Sequence, residues 1–209
     1  MKKLYDRILG YLPKHARKLL LIVFLYNLFV FYFSRLLVGD HEHYVFESAL
    51  DSKIPLLPFT IVIYFGCYLF WFANYILCSR YDEKQAKRFL YADLIGKTVC
   101  LVCYLFIPTT MARPEIPGND IFSIQMRFLY QIDSPDNLFP SIHCFCSWMC
   151  YIGMRGDERY SKKYRIFSMV FALAVCVSTV TTKQHVLIDI PAGVLLAEGS
   201  FFLTKKCIK

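Results

Sequence analysis

The sequence predicts an all-α protein that lies in the membrane as a bundle of six transmembrane helices, with both termini in the cytoplasm. Apolar residues make up 56% of the 209 residues and charged residues only 19%, whereas soluble domains are usually ~45–50% apolar and ~25% charged. The apolar residues also fall in long runs, and the basic residues favour alternate loops. This composition disfavours a soluble enzyme and excludes a disordered or fibrous protein.

Six apolar runs predict the transmembrane helices, since a helix needs roughly 20 mostly apolar residues to cross the hydrocarbon layer. The predicted spans are residues 19–38, 54–78, 89–107, 138–154, 166–180 and 186–203. The third, fourth and sixth spans contain ionisable residues, which are rare inside membranes and usually face a bundle interior or a wet cavity. Each of these residues is therefore a candidate for a functional site.

The basic residues predict the orientation. Six Lys or Arg residues precede the first span, four follow the second, five follow the fourth and three lie in the tail. The opposite loops contain only Lys53, Arg113, Arg127 and Lys183. Because cytoplasmic loops are enriched in Lys and Arg, both termini are predicted to be inside, and the loops with few basic residues are predicted to be extracytoplasmic.

The chain divides into a basic segment, residues 1–18, and a membrane domain, residues 19–204. An apolar stripe in the basic segment predicts a short helix in the inner membrane interface. The net charge of +8 follows from the topology and attracts anionic headgroups, so we expect membrane lipids and no nucleic acid as partners. The sequence does not indicate an oligomeric state.

Nine cysteines are present, and nearly all lie inside the predicted spans. The C-x-x-C pair Cys100 and Cys103 leaves a metal or redox site open as an alternative. Small apolar filler between helices is the favoured interpretation, because a second C-x-x-C is missing and zinc needs further ligands. We therefore expect no metal and no cofactor.

The loop at residues 108–137 is long for a connection, and long loops are often functional. Its residues 119–132 contain Ile121, Phe122, Ile124, Phe128 and Leu129. This pattern predicts a short amphipathic helix in the outer interface, beginning at Asn119 or Asp120 and forming a wall of a lateral entrance for lipids. A plain surface loop is the alternative.

Polar residues gather at the outer end of the fourth predicted span, residues 136–143. Asp136 or Asn137 is predicted to cap the helix there. A helix that begins at this point directs unpaired N–H groups, together with Ser141 and His143, at the outer interface. Such an arrangement favours an anion site.

A second polar cluster crosses from the fifth span to the sixth, residues 178–189. His185 and Asp189 are four residues apart, so on a helix they share one face. A carboxylate bonded to one ring nitrogen fixes the tautomer and leaves the other nitrogen available for attack. With Lys183 beside them, the two histidines and Asp189 fit phosphoryl transfer through a histidine.

These residues resemble the type 2 phosphatidic acid phosphatase superfamily. Its P-S-x-H motif is matched by Pro140, Ser141 and His143, and its S-R-x-x-x-x-x-H-x-x-x-D motif by Ser178, His185 and Asp189. The order of the spans also agrees. The Arg of the second of these motifs is Thr179 here, and a further family motif, K-x-x-x-x-x-x-R-P, keeps only Arg113-Pro114.

The resemblance implies a membrane enzyme that acts on lipid phosphate esters without a metal. It implies that His185 attacks phosphorus, that Asp189 orients His185, and that His143 acts as acid and base. The remaining implied role is to hold the phosphoryl oxygens. We assign it to Ser141, Arg113, Lys183 and Arg127, since the cations of the family motifs are incomplete.

Three alternatives remain open at the level of sequence. The departures from the motifs resemble the branch that makes inositol phosphorylceramide, in which a lipid hydroxyl replaces water as the acceptor. The intramembrane residues Asp93, Lys97, Asp189 and Glu198 would fit a transporter pathway, although Lys97 also stands one helical turn from Asp93 and fits an ion pair. The third alternative is a non-catalytic membrane scaffold, which the presence of His143, His185 and Asp189 disfavours.

Overall fold

Seven α-helices make up most of the computed structural model, which describes residues 12–39 and 41–208. They are α1 Arg17–Val38, α2 Ile61–Cys78, α3 Glu83–Phe106, α4 Ile121–Ile132, α5 Ile142–Ile152, α6 Lys162–Thr181 and α7 Asp189–Cys207. Two short 3-10 turns, Asp51–Lys53 and Pro58–Thr60, precede α2. Two parallel two-residue strands, β1 Tyr44–Val45 and β2 Thr109–Thr110, join the loops that follow α1 and α3. The predicted interfacial helix of the basic segment falls mainly on residues 1–11, outside the described residues.

Four segments are long and apolar enough to cross a membrane: Arg17–Val38, Pro58–Cys78, Glu83–Phe106 and Lys162–Thr181. These correspond to the first, second, third and fifth predicted spans. The prediction of six spans is thus confirmed only in part. The fourth predicted span contains only the 11 residues of α5, about 16 Å at 1.5 Å per residue, or half of a hydrocarbon layer of about 30 Å. The sixth, α7, carries acidic residues and two lysines among its 19 residues.

Large apolar side chains cover the outside of the helices. Leu36 is 82% exposed, Leu69 76% and Phe106 76%. Extensive exposed apolar surface is rare on soluble monomers and marks a membrane or partner surface. A lipid environment around these helices therefore accounts for their composition.

The short helix α5 occupies the centre of the bundle, packed against α2, α3, α6 and α7. Its Phe145 and Met149 are completely buried. Gly96 of α3 lies directly against Phe145, since a Cβ atom at Gly96 would come within 2.2 Å of that ring. This central position explains why α5 is apolar and rich in cysteine although it has only 11 residues.

Two further predictions from the sequence are confirmed. The amphipathic segment of the long loop is the helix α4, which the Asp120 carboxylate caps by accepting hydrogen bonds from the Phe122 and Ser123 N–H groups. Lys97 pairs with Asp93 at 2.8 Å in the interior of the bundle. Their side chains are only 3% and 0% exposed, so the ion pair is buried among the helices.

Candidate active site

His143 lies in the first turn of α5, in a pocket of aromatic rings. Its ring centroid is 4.6 Å from that of Tyr64 and 5.4 Å from that of Trp71. Its Nε2 atom is 3.3 Å from the Tyr68 hydroxyl. Because α2 supplies all three rings, the packing of α2 on α5 fixes where the imidazole lies.

The helix that carries His143 begins later than the sequence predicts. The Ser141 hydroxyl is the cap, accepting a hydrogen bond from the Cys144 N–H group at 3.2 Å. The predicted caps, Asp136 and Asn137, are wrong, because the N–H groups of residues 138–139 donate to Thr109 Oγ1 and hold the chain outside the helix. Ser141 is completely buried, and its hydroxyl stabilises the start of the helix.

His185 and Asp189 form a hydrogen-bonded pair at the junction of α6 and α7. His185 Nδ1 is 3.1 Å from Asp189 Oδ2, which also accepts the Val186 N–H group at 3.0 Å. His185 is 6% exposed and Asp189 is completely buried. The predicted contact is present, although His185 lies in the turn before α7 and only Asp189 belongs to the helix. The carboxylate holds Nδ1 and leaves Nε2 as the nitrogen that can react.

The turn that carries His185 is built on Thr179, the residue that replaces the family Arg. The Thr179 carbonyl oxygen accepts the N–H groups of Gln184 and His185 at 2.9 and 3.1 Å. Lys183, which precedes Gln184, has a φ angle of 52°, which lies in the left-handed region. This tight turn directs the side chains of Gln184 and His185 to one side and that of Lys183 to another.

Gly193 allows α7 to approach the start of α5 closely. A Cβ atom at Gly193 would lie 2.7 Å from the Ser141 carbonyl oxygen and 3.0 Å from Cys144 Cβ. This approach brings the two histidines together, with 5.7 Å between the ring centroids of His143 and His185. Two titratable rings from separate elements therefore face one space.

That space is a cavity of about 340 Å³. Both histidines line it, together with residues from α1, α2, α3, α4 and the connecting loops. The polar members of the wall are Asn27, Arg113, Asp133, Ser134, Asp136, Asn137 and Gln184, and the aromatic members include Phe31, Tyr32, Phe65, Tyr68, Trp71 and Tyr104.

Arg113 is the predicted phosphate ligand that the structure places in this wall. Its Nη2 donates to Gln184 Oε1 at 2.7 Å, and its Nη1 donates to the Asp133 carbonyl oxygen. The guanidinium lies over the Tyr130 ring, 4.6 Å from the centroid. Burial lowers the pKa of Arg113 from its usual value, but a guanidinium remains protonated in proteins, so a positive charge faces the cavity.

Two buried N–H donors in the same wall lack a partner. Arg113 Nε and the Gln184 amide nitrogen, Nε2, form no hydrogen bond with any described residue. An unsatisfied buried polar group costs about 1–3 kcal/mol, and such groups call for a ligand or water. Donors of this kind beside two histidines suit the oxygens of an anion.

The other two predicted cations lie elsewhere. Lys183 Nζ donates to the carbonyl oxygens of Asp51 and Ile54, at 3.0 and 2.7 Å. Arg127 donates to the Ile116 and Gly118 carbonyl oxygens. Neither residue lines the cavity, so both hold the loop backbone, and their expected part in binding phosphate is not supported by where they lie.

Several residues of the site carry no sequence signal. The sequence indicates no role for Gln184, but its side chain pairs with Arg113 and fixes both residues. Arg35 of α1 binds Asp133 and Asp136, each at 2.6 Å. These partners are about 100 residues apart along the chain, and no local pattern indicates such a pair.

The comparisons with known proteins identify a family. A family model described as the PAP2 superfamily matches residues 28–203. The matched region contains both histidines, Asp189, Arg113 and the whole wall of the cavity except Asn27. No curated protein and no solved structure matches the chain.

Proposed function

The chain belongs to the PAP2 superfamily, and we propose that it cleaves or transfers the phosphoryl group or phospho-headgroup of a lipid phosphate ester through a phosphohistidine intermediate. The observation that carries this proposal is the pairing of His185 with Asp189 at 3.1 Å, opposite His143 in a cavity with unpartnered N–H donors. A nucleophile, its orienting group, a second acid–base group and an anion site are the parts that this chemistry needs.

In the first half of the reaction, His185 Nε2 attacks phosphorus and the bond from phosphorus to the leaving oxygen breaks. His143 gives its proton to that oxygen. Asp189 stabilises the positive charge that develops on the His185 ring, because its carboxylate accepts a hydrogen bond from the Nδ1–H group. Arg113 and Gln184 donate to the phosphoryl oxygens and stabilise the charge in the transition state.

In the second half, His143 removes a proton from the acceptor hydroxyl, whose oxygen attacks phosphorus and releases His185. The acceptor is water in a phosphatase and a lipid alcohol in a phosphotransferase. The balance of charge in the cavity favours a phosphodiester donor. Arg113 is the only one of the three predicted phosphate-binding cations in the wall, and the carboxylates of Asp133 and Asp136, which pair with Arg35, share that wall. Since a phosphodiester carries a single negative charge, the charge balance favours a diester donor, as in the inositol phosphorylceramide synthase type of transfer, and it does not distinguish water from a lipid hydroxyl as the acceptor.

The distribution of Lys and Arg supports an extracytoplasmic active site in a multi-pass protein with both termini inside. The transporter alternative has little support. Asp93 and Lys97, two of the charged residues predicted to line a transport path, are buried, paired with each other and absent from the cavity wall.

The proposal is tested by incubating the purified full-length protein with a panel of lipid phosphomonoesters and phosphodiesters, with and without lipid alcohols, and identifying the products by mass spectrometry. We expect consumption of at least one phosphate ester, and none by the His185→Ala variant. Equal product formation by both proteins, or none from the wild type on any ester, would contradict the proposal.

A further inference from the structure

A second cavity, of about 270 Å³, lies at the end of the bundle opposite to the histidines. Three of its lining residues are basic: Arg155, which follows α5, and Lys162 and Arg165 in the first turn of α6. The 20 residues of α6 extend about 30 Å at 1.5 Å per residue, and His185 follows the far end of this helix. The two cavities share no lining residue, so the second is a separate site.

The positive charge of this second cavity is not balanced. Arg155 is paired, because its two terminal nitrogens donate to the Glu198 carboxylate at 2.7 and 2.8 Å. The side chains of Lys162 and Arg165, in contrast, form no hydrogen bond or ion pair with any residue that the structure describes. None of the described residues in the wall is acidic. Two uncompensated cations therefore face one space, an arrangement that suits a phosphate group.

The rest of the cavity wall is largely apolar and continues into a stripe on α6. Tyr151 and Met169 line the cavity, and so does the first residue of the stripe. The stripe, called the α6 stripe below, consists of residues at helical spacing that share one face and are each between 47% and 56% exposed: Ile166, Val170, Leu173 and Val177. It is about 16 Å long at 1.5 Å per residue, close to half of a hydrocarbon layer of about 30 Å. One acyl chain fills such a length.

We propose that the second cavity binds an anionic phospholipid of the membrane, with its phosphate at Lys162 and Arg165 and one acyl chain along the α6 stripe. A soluble phosphate would contact only the cations and leave the α6 stripe without a partner. A zwitterionic lipid would bring its own positive charge close to the two basic side chains. In the proposed orientation this end of the bundle faces the cytoplasmic leaflet, which carries the anionic phospholipids, and basic pockets between membrane helices on that side bind such headgroups. The inference does not depend on the proposed reaction.

The site is tested by photolabelling of the purified full-length protein in phosphatidylcholine vesicles that contain a small fraction of phosphatidylserine with a diazirine on one acyl chain. The labelled peptides are identified by mass spectrometry. The readout is the ratio of label on residues 166–177 to label on α1, whose exposed apolar residues contact bulk lipid. We expect excess unlabelled phosphatidylserine to lower this ratio. Excess phosphatidylcholine, or glycerophosphoserine, which has the same headgroup without acyl chains, should leave it unchanged.

Two variants remove the unpaired cations one at a time. Lys162→Gln and Arg165→Gln each delete a positive charge and introduce a residue that favours a helix about as well. One basic residue near a membrane surface changes the affinity for anionic lipid about fivefold, so with the probe below saturation each variant should lower the ratio by about that factor. Lys163→Gln is the matched control, since Lys163 is the next residue, carries the same charge, is exposed and does not line the cavity. This variant should keep the wild-type ratio.

The possible outcomes separate a built site from a diffuse attraction. Equal losses in all three variants would show that the basic loop attracts anionic lipid only through its total charge, and would overturn the inference. Competition by glycerophosphoserine would assign the cavity to a soluble anion and would overturn it as well, as would a wild type in which phosphatidylserine fails to compete for the α6 stripe. The ratio is measured within one preparation, so it does not depend on the amount of folded protein. No turnover is measured, so failure here leaves the proposed function standing.

Discussion

Gly193→Ala should separate the two parts of the candidate active site, His143 on α5 from the pair of His185 and Asp189 at the start of α7. The new Cβ atom would lie 2.7 Å from the Ser141 carbonyl oxygen and 3.1 Å from the Phe145 backbone nitrogen. Ordinary carbon contacts begin near 3.4 Å, so α7 has to move away from the start of α5 by about half an ångström or more. Overpacking of this kind costs about 1–3 kcal/mol.

The displacement would act directly on the reacting groups, because Asp189 stands one turn before Gly193 and holds His185. A misplacement of about 1 Å can reduce a rate by ~10²-fold, so we expect Gly193→Ala to lower kcat by roughly ten- to a hundredfold. The assay is turnover of the best lipid of the panel, with the thermal unfolding midpoint measured on the same samples.

Gly199→Ala is the matched control, since it lies on the same helix and a Cβ atom there would meet nothing within 4 Å. Replacing a Gly inside a helix by Ala stabilises the helix by up to about 1 kcal/mol. This control should therefore retain full activity and have equal or higher stability. Equal turnover of the two variants would refute the reasoning that the close approach of α7 to α5 positions the histidines.

Three further predictions concern the polar loops. Arg113→Ala should lower kcat/KM by roughly ten- to a hundredfold, because charge-assisted bonds are worth about 1.5–3 kcal/mol. Arg127→Ala, in contrast, should leave the inhibition constant of a soluble phosphate analogue unchanged. Equal inhibition constants in the two variants would contradict this assignment. Lys183→Gln should lower the unfolding temperature and leave kcat/KM near that of the wild type, because its ammonium binds backbone carbonyls; a loss of activity at full stability would show the opposite. Burial opposes ionisation of Asp51, but hydrogen bonds from Ser48 and Leu187 outweigh it and lower its pKa. The stability that Asp51 contributes is therefore present above its usual pKa and lost as the pH falls through the lowered value. Asp51→Asn should make unfolding less pH-dependent over that acidic range, and an unchanged dependence would contradict the assignment.

Local patterns were sufficient for much of the fold. The α4 helix follows from an Asp cap and apolar spacing, and both are properties of adjacent residues. The pairing of Lys97 with Asp93 follows from a spacing of four on one helix. The late start of α5 has a tertiary cause, since Thr109 on a distant loop accepts hydrogen bonds from the N–H groups of residues 138–139 that were predicted to lie in the helix.

The site was predictable where the partners are close in sequence. His185 and Asp189 are four residues apart, and the contact forms even though the helix begins only at Asp189. The position of the Lys183 side chain was not predictable, because a left-handed turn directs it at residues 51–54, some 130 positions away. The pairing of Gln184 with Arg113 was hidden for the same reason, since the two residues are 71 positions apart along the chain.

The central claim is that His185 is the covalent nucleophile, and the most direct measurement is to trap the intermediate. The full-length protein is mixed with a lipid ester labelled in the phosphate, quenched within one turnover and analysed by peptide mass spectrometry. We expect a phosphoryl adduct on His185 in the wild type, an adduct that persists in His143→Ala with a good leaving group, and none in His185→Ala. An adduct on another residue, or one that survives in His185→Ala, would contradict the account.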